Sequence, residues 1–459
     1  MLEAPPLNLP EGAAQNFGTA LDERDLSRLP VNVPRWAFLA WLAGEGWLLH
    51  GSARGDLTLF EARTPHDLSP DEFSKRTGVF AASDGLWAMM YALLDRNRVV
   101  RMLNTAVRVR EADGGWSTMR YFLSLAPRDP AVTDGRSLLS LTAADALGAA
   151  TEFKTPEAIR ARYGDHFTDY QPGSVFGFAP GEGTDDSQMT AATLLGFARG
   201  EGLEGVRLAL SAWLDAGPPD VGSLTRAALR HGTLDGGAWA WTASGHQSAG
   251  NGGLMRVAAV WIAGFTGEAL ARESAAVTAL THADPRCVHA SVFLTAFLEA
   301  LHGGAAYRDG AEVALRTMDD LDARRALISA DVLGWDSLDA NAAFHERDRA
   351  ARAQVRARVR SGLDGHVTSQ SGFVLDTLEA AVAQARAETW LACVEPAVLL
   401  GDDSDTVACV VGAIAGARGL PVPDHLLPSL RLGHSWPGWE RGWACAEHFP
   451  ALIAGARRA

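Results

Sequence analysis

Three acidic clusters stand out by residue type and spacing. The first runs from Asp145 to Glu152 within LTAADALGAATEF, the second is Thr184-Asp185-Asp186-Ser187, and the third is Gly401-Asp402-Asp403-Ser404-Asp405-Thr406. Adjacent carboxylates that face one pocket repel each other, and a divalent cation between them removes that cost. Carboxylate and hydroxyl oxygens are hard ligands that suit Mg²⁺, Ca²⁺ or Mn²⁺ rather than Zn²⁺. Two clusters of this composition can supply a two-metal site with ions ~3.5–4 Å apart. The plainer reading is that Asp and Thr ahead of a helix are N-caps and that Asp-Asp pairs are solvated loop residues. Asp145 lies seven residues before Glu152, so on a helix the two share a face. Asp145 is expected to orient a neighbouring side chain rather than to touch metal.

Two further segments have the composition of ligand contacts. Gly250-Asn251-Gly252-Gly253, ahead of LMRVAAV, reads as a loop feeding a helix; it is either an ordinary cap or a turn whose N–H groups approach phosphate. His282 closes a helix that begins near Glu268, where an imidazole serves as dipole partner, structural donor or ligand contact.

Taken in order, Asp145-x-x-Gly148-x-x-x-Glu152, TDDSQM at 184–189, SAGNGGLMRVAAV at 248–260, Thr281-His282-x-x-Pro285, GFVLDTLEAAV at 372–382 and GDDSDTVACVVGAIAGARG at 401–419 resemble the motif set of the ADP-ribosylglycohydrolase family. The resemblance covers residues from about 135 to 459 and implies an all-α domain, an orthogonal helical bundle. It implies two Mg²⁺ ions, with Mn²⁺ as the alternative, held by Thr184, Asp185, Asp186, Asp403, Asp405 and Thr406. It implies catalytic carboxylates among Glu152, Asp185, Asp186 and Asp403. Substrate contacts are implied at Ser248, Gly250, Asn251, Gly252 and His282. Asp402 is extra to the motif, Ala144 stands where the family has Gly, and Ser187 stands where it has Thr. The implied activity is cleavage of ADP-ribose from a protein, small-molecule or nucleic-acid acceptor through an oxocarbenium-like transition state, with ADP-ribose as product. An aromatic is expected to stack on adenine, with Tyr170, Phe176, Phe178 and Trp241 as candidates. A family relative that has lost catalysis and only binds nucleotide is the competing reading.

These residues need elements to hold them. Beyond residue 136 the pattern is alanine-rich and amphipathic, with helices expected at 138–153, 187–200, 205–215, 252–265, 268–282, 286–302, 309–317, 372–387 and 405–418. Two glycine-rich stretches, 168–183 and 235–250, read as long functional loops. Residues 1–130 differ in texture. Short β-like segments at Gly46–Leu49, Val79–Ala82, Val99–Arg110 and Trp116–Leu125 flank a helix expected at Gly85–Arg96 capped by Ser83 or Asp84, which describes a small α+β domain. Asp129 to Arg136 reads as a linker. WLLHGS at 47–52 and VFAASDGLWAMMYALLDR at 79–96 resemble the ADP-ribosyltransferase and tRNA 2′-phosphotransferase fold, which implies that His50 and Ser83 touch NAD. That resemblance would make the chain a bifunctional transferase–hydrolase; the alternative is that His50 and Gly51 form a strand-end turn and Trp87, Met90 and Tyr91 are core.

Composition narrows the classes. The 459 residues are 47% hydrophobic and 21% charged, ordinary globular material, with a net charge of −14 and no basic patch for phosphate backbones. The four cysteines, Cys287, Cys393, Cys409 and Cys445, show no CxxC spacing or paired framework. The N-terminus lacks the basic and apolar regions of a signal peptide, and the apolar stretch 391–400 is too short to span a bilayer. A cytoplasmic protein without membrane partners is expected.

Overall fold

The computed structural model describes residues 2–3, 9–30, 33–50, 81–82, 84, 88–89, 99–107, 110, 115–117, 120–127, 130–334, 338–433 and 449–457. The chain packs as two units, Met1–Asp129 and Pro130–Ala459.

The first unit contains helices α1 (Ala13–Asp22) and α2 (Arg35–Gly44) and strands β1 (Leu2–Glu3), β2 (Val99–Val107) and β3 (Arg120–Pro127). The strands form an antiparallel sheet in the order β1-β3-β2. Phe17 meets Phe38 and Trp41 at ring separations of 5.4 and 5.6 Å and centres a small core between the two helices. The β segments expected at Val99–Arg110 and Trp116–Leu125 correspond to β2 and β3, while α1 and α2 were not anticipated. Leu49 and Ala82 form an isolated antiparallel bridge. Of the helix expected at Gly85–Arg96, only Ala88 and Met89 are described, and both are helical. Gly51, Ser83, Trp87, Met90 and Tyr91 lie outside the described residues.

The second unit is a helical bundle. Its first helices are α3 (Pro130–Gly148), α4 (Pro156–Tyr163), α5 (Asp185–Ala198), α6 (Gly202–Asp215), α7 (Ser223–His231) and α8 (Gly236–Ala243). Next come α9 (Ala258–Ile262), α10 (Gly267–Ala279), α11 (Pro285–His302), α12 (Tyr307–Asp320) and α13 (Ala323–Ser329). The last are α14 (Leu338–Leu363), α15 (Val374–Gln384), α16 (Trp390–Leu400), α17 (Ser404–Ala417) and α18 (Phe449–Arg457). No helix among the described residues is long and apolar enough to cross a membrane.

The most extensive helix pair is α3 with α17, and glycines permit it. A Cβ on Gly148 would lie 2.5 Å from the Asp405 Cα, and one on Gly412 would lie 2.6 Å from the Ser140 carbonyl oxygen. Ser140 Oγ donates to the Gly412 carbonyl (2.6 Å) and accepts from the Trp390 indole N–H (2.9 Å), so the polar groups of this dry seam are satisfied. From Ser137 onward in α3 and throughout α17 the pair is almost fully buried, which is why both stretches read as largely apolar or small.

Three expectations are corrected. The stretch 235–250 is not one long loop, because 236–243 is α8. Its glycines serve close packing: Cβ atoms on Gly236 and Gly237 would fall 2.3 and 2.0 Å from the carbonyl oxygens of Ala228 and Ala279. The helix expected over 252–265 is regular only at Ala258–Ile262, preceded by tight turns. There the Arg256 guanidinium donates to the Gly252 carbonyl and takes the acceptor that a regular helix would use. The expected linker is already helix from Pro130, consistent with proline's fit to a first turn. The 26-residue α14 was missed, its apolar stripe being interrupted by arginines.

Candidate active site

The acidic clusters converge. One carboxylate oxygen each from Asp145, Asp186 and Asp405 lies within 4.8 Å of the others, and the same holds for Glu152, Asp403 and Asp405. Asp405 is common to both groups. Asp145 comes from the end of α3 and Glu152 from the turn just after it. Asp185 and Asp186 open α5; Asp403 and Asp405 open α17.

Asp145 holds the second cluster in place. Its carboxylate accepts from the Thr184 N–H (3.0 Å), the Thr184 hydroxyl (2.7 Å), the Ser187 N–H (3.2 Å) and the Ser187 hydroxyl. With its oxygens so engaged, it caps α5 and fixes the loop rather than offering free lone pairs. Thr184 also lies 3.1 Å from Asp186 Oδ2, and Thr406 donates to that oxygen at 3.3 Å. The loop before Thr184 is tied down where Gly183 N–H donates to the Arg431 carbonyl and Arg431 N–H to the Gly181 carbonyl.

What remains unsatisfied is informative. Glu152 Oε2, Asp186 Oδ1 and Asp405 Oδ1 are buried without hydrogen-bond partners. Burial, then the charge of Asp405, Asp220, Asp403 and Asp185, pushes the Glu152 carboxyl up to about 11. Burial and neighbouring carboxylates also raise Asp185, Asp186 and Asp405 well above the usual range, and burial raises Asp403 and Asp145 to about 6. Each group of three thus contains two orphaned residues, Asp186 and Asp405 in one and Glu152 and Asp405 in the other, and a hard divalent cation satisfies such oxygens. The donor set, all oxygen, fits Mg²⁺ or Mn²⁺ and not a thiolate or imidazole metal.

Sequence reasoning missed Asp220, in the turn between α6 and α7. It bonds the Asp185 side chain, and its charge bears on Glu152, Asp403 and Asp405 as well. A single Asp in a Gly-Pro-Pro turn carries no signal by itself.

On the other side of Asp403 lies the glycine loop. Asn251 Nδ2 donates to Asp403 Oδ2 (2.6 Å) and to the Thr377 hydroxyl (2.9 Å), so its amide positions Asp403. Gly250 pairs with Phe373, and the Asn251 N–H donates to the Gly372 carbonyl (3.1 Å). Ser248 is half-buried in the same loop, its N–H bonded to the Ser244 hydroxyl at 3.2 Å. His282 sits under this loop: a Cβ on Gly252 would lie 2.8 Å from the imidazole Cε1. Burial and then the Arg256 charge lower the imidazole to about 3, so it is neutral near pH 7. Arg256 donates to the Thr281 hydroxyl (2.6 Å), which lies 2.8 Å from His282 Nδ1. The neutral imidazole shares a hydrogen bond with that hydroxyl at Nδ1, while its Nε2 faces Gly250 and Gly252.

Of the aromatic candidates, Trp241 is 0% exposed and donates to Asp284 (3.0 Å), and Tyr170 and Phe178 are buried too. Phe176 is half-buried against Phe153. The ring the sequence reading overlooked is Phe373, half-buried beside Gly250 with the Arg286 guanidinium 5.4 Å above it. Cys287, whose thiol donates to the Gly250 carbonyl (3.3 Å), Cys393 and Cys409 are buried free thiols.

Fold and centre together define a helical protein built around a buried cluster of carboxylates. A family model described as ADP-ribosylglycohydrolase matches residues 136–447, and the chain belongs to that family. It is 27% identical over 317 residues to the ADP-ribosylarginine hydrolase Tri1 of Serratia proteamaculans, covering 65% of this chain and 76% of that one. It is 25% identical over 286 residues to the ADP-ribosyl-[dinitrogen reductase] glycohydrolase of Rhodospirillum rubrum, covering 61% and 83%. A solved structure titled ADP-ribosylglycohydrolase-related protein complex has the same fold, with a TM-score of 0.51 at 22% identity over 72% of this chain and 99% of that one.

Proposed function

We propose that residues 136–459 remove ADP-ribose from arginine side chains of modified proteins in the cytoplasm, with two Mg²⁺ ions as cofactor. The observation that carries this is the pair of carboxylate groups sharing Asp405, with three buried oxygens left unpartnered. Thr184, Asp185, Asp186, Asp403, Asp405 and Thr406 would hold the ions, which when bound orient the sugar hydroxyls and acidify a water. The arginine acceptor is supported by the name of the Tri1 relative.

The chain's own residues then do the following. The loop Ser248–Gly252 and the imidazole of His282 receive the pyrophosphate, and the exposed part of the Phe373 ring takes the adenosine end. Water adds its oxygen to C1″ of the distal ribose as the C1″–N bond breaks. A carboxylate takes the water's proton, and the leaving guanidine nitrogen recovers one. Of Glu152, Asp185, Asp186 and Asp403, the base is assigned to Glu152, whose Oε2 is unpartnered; Asp186 shares that feature at Oδ1, but its Oδ2 is engaged by Thr184 and Thr406, Asp403 is engaged by Asn251 and Asp185 by Asp220. The complete acidic set stands against a relative that has lost catalysis. For residues 1–130 we propose a separate role; a transferase reading would need Ser83, which lies outside the described residues.

The test is calorimetric titration of Mg²⁺ and ADP-ribose into wild-type protein and Asp403→Ala, followed by assay of ADP-ribose release from ADP-ribosyl-arginine. Mg²⁺-dependent binding and release, both lost in the variant, are expected. A wild type that binds no ADP-ribose with or without Mg²⁺ overturns the reading.

A further inference from the structure

The glycine loop is held by the segment just ahead of α15. The Asn251 N–H donates to the Gly372 carbonyl at 3.1 Å, and the Val374 N–H donates to the Ala249 carbonyl at 3.0 Å. The same segment holds Asp403. The Asp403 N–H donates to the Gln370 carbonyl at 3.0 Å, and a Cβ on Gly372 would lie 3.4 Å from Asp403 Oδ2. Residues 370–374 thus bring Asn251 and Asp403 side by side, and the Asn251 amide joins them, its Nδ2 lying 2.6 Å from Asp403 Oδ2.

An Asn amide has an NH₂ end and an oxygen end of almost equal size, so its hydrogen-bond partners decide which way it faces. Thr377, near the start of α15 and 0% exposed, makes that choice. Its hydroxyl lies 3.3 and 3.4 Å from the carbonyl oxygens of Ser371 and Phe373, which can only accept. The hydroxyl hydrogen is therefore spent on the backbone, and a lone pair remains for Asn251 Nδ2 at 2.9 Å. The backbone at this point is fixed in turn. Ser371 Oγ donates to Asp376 Oδ2 at 2.8 Å and accepts the Phe373 N–H at 3.3 Å, and the Arg358 guanidinium meets Asp376 Oδ1 at 3.0 Å.

We propose that Thr377 is a positioning residue for the acidic centre: its hydroxyl turns the Asn251 NH₂ toward Asp403 and so sets the direction of that carboxylate within the Glu152–Asp403–Asp405 group. Without the hydroxyl's lone pair, one Asn251 N–H is left buried with no acceptor, and the amide rotates to find one. The other N–H then leaves the line to Asp403 Oδ2, and the carboxylate loses its brace. Partners that hold a ligand carboxylate in register tune the affinity for the cation without touching it. The proposal rests on the cation reading given above and adds to it a residue that acts through Asn251.

The experiment measures the Mg²⁺ Kd by calorimetry, with Tm alongside, for wild type, Thr377→Val, Thr377→Ser, Asn251→Ala and the double variant Asn251→Ala with Thr377→Val. Valine keeps the shape and removes the hydroxyl, so Thr377→Val is expected to raise the Kd about three- to tenfold. Serine keeps the hydroxyl, and its Kd is expected to stay within about twofold of wild type. With the amide already gone in Asn251→Ala, adding Thr377→Val should change the Kd by less than about twofold. A Kd that Thr377→Val leaves unchanged, that serine fails to restore, or that rises by the same factor with and without the Asn251 amide overturns the positioning role alone. A wild type that takes up no Mg²⁺ overturns the cation reading and this proposal together.

Discussion

Asp145 is buried and Asp403 half-buried, and both carboxyls are pushed up to about 6, yet they have different jobs. Asp145 accepts four hydrogen bonds from Thr184 and Ser187. Replacing it with Asn keeps the shape but turns an NH₂ group toward backbone N–H donors. A buried donor facing a donor costs about 1–3 kcal/mol, so Asp145→Asn should lower Tm even without metal and weaken Mg²⁺ binding by displacing Thr184. Both add to the repulsion on Asp186 and Asp405, but Asp403 also bears on Glu152 and lacks that set of four donors. Asp403→Asn should leave metal-free Tm equal or higher and remove the calorimetric response to Mg²⁺. If both variants behave alike in a thermal melt, the division between holding the loop and holding a cation is wrong.

At the scale of elements, the site exists because α3 and α17 touch almost without side chains between them. Gly148→Ala tests this. Its Cβ would press on the Asp405 Cα and N–H at 2.5 and 2.8 Å, and backbone cannot yield as a flexible side chain does. Overpacking of this kind costs about 1–3 kcal/mol, and here the shift moves the carboxylate shared by both groups. The expected result is a lowered Tm with a disproportionate loss of Mg²⁺ affinity; a loss of Tm at unchanged affinity would separate the helix seam from the site. The acidic residues themselves were legible because their chemistry is local: Asp-Asp and Asp-x-Asp-Thr at helix starts need no neighbours to be noticed. What was not legible is long-range. The glycines at 236 and 237 look like loop residues until the carbonyls of Ala228 and Ala279 are seen against them. Asn251 has the composition of a phosphate contact until its amide is found on Asp403. Asp220 and Phe373 join the site only through the packing of α7 and α15.

At the scale of the whole molecule, the set of buried acids makes stability depend on pH in an uncommon direction. Glu152 is raised to about 11, and Asp185, Asp186 and Asp405 are raised well above their usual value. Without a cation, the folded protein therefore holds protons near neutral pH that the unfolded chain, with ordinary carboxylates near 4, has already lost. More protons bound in the folded state means that stability falls as pH rises. Two buried histidines oppose this only in part: burial lowers His282 and His289, and their unfolded imidazoles, half protonated at about pH 6.5, lose fewer protons across this window than the buried carboxyls hold. In EDTA, Tm is expected to fall between about pH 6.5 and 8. A divalent cation displaces those protons and binds only the folded state, so Mg²⁺ should raise Tm, and by more at pH 8 than at pH 6.5. Differential scanning calorimetry at the two pH values, with EDTA or with Mg²⁺, reads both effects. A metal-free Tm that rises with pH, or a Mg²⁺ increment that ignores pH, would mean that the carboxylates are ionised without the cation. The orphaned oxygens of Glu152, Asp186 and Asp405 would then need another partner.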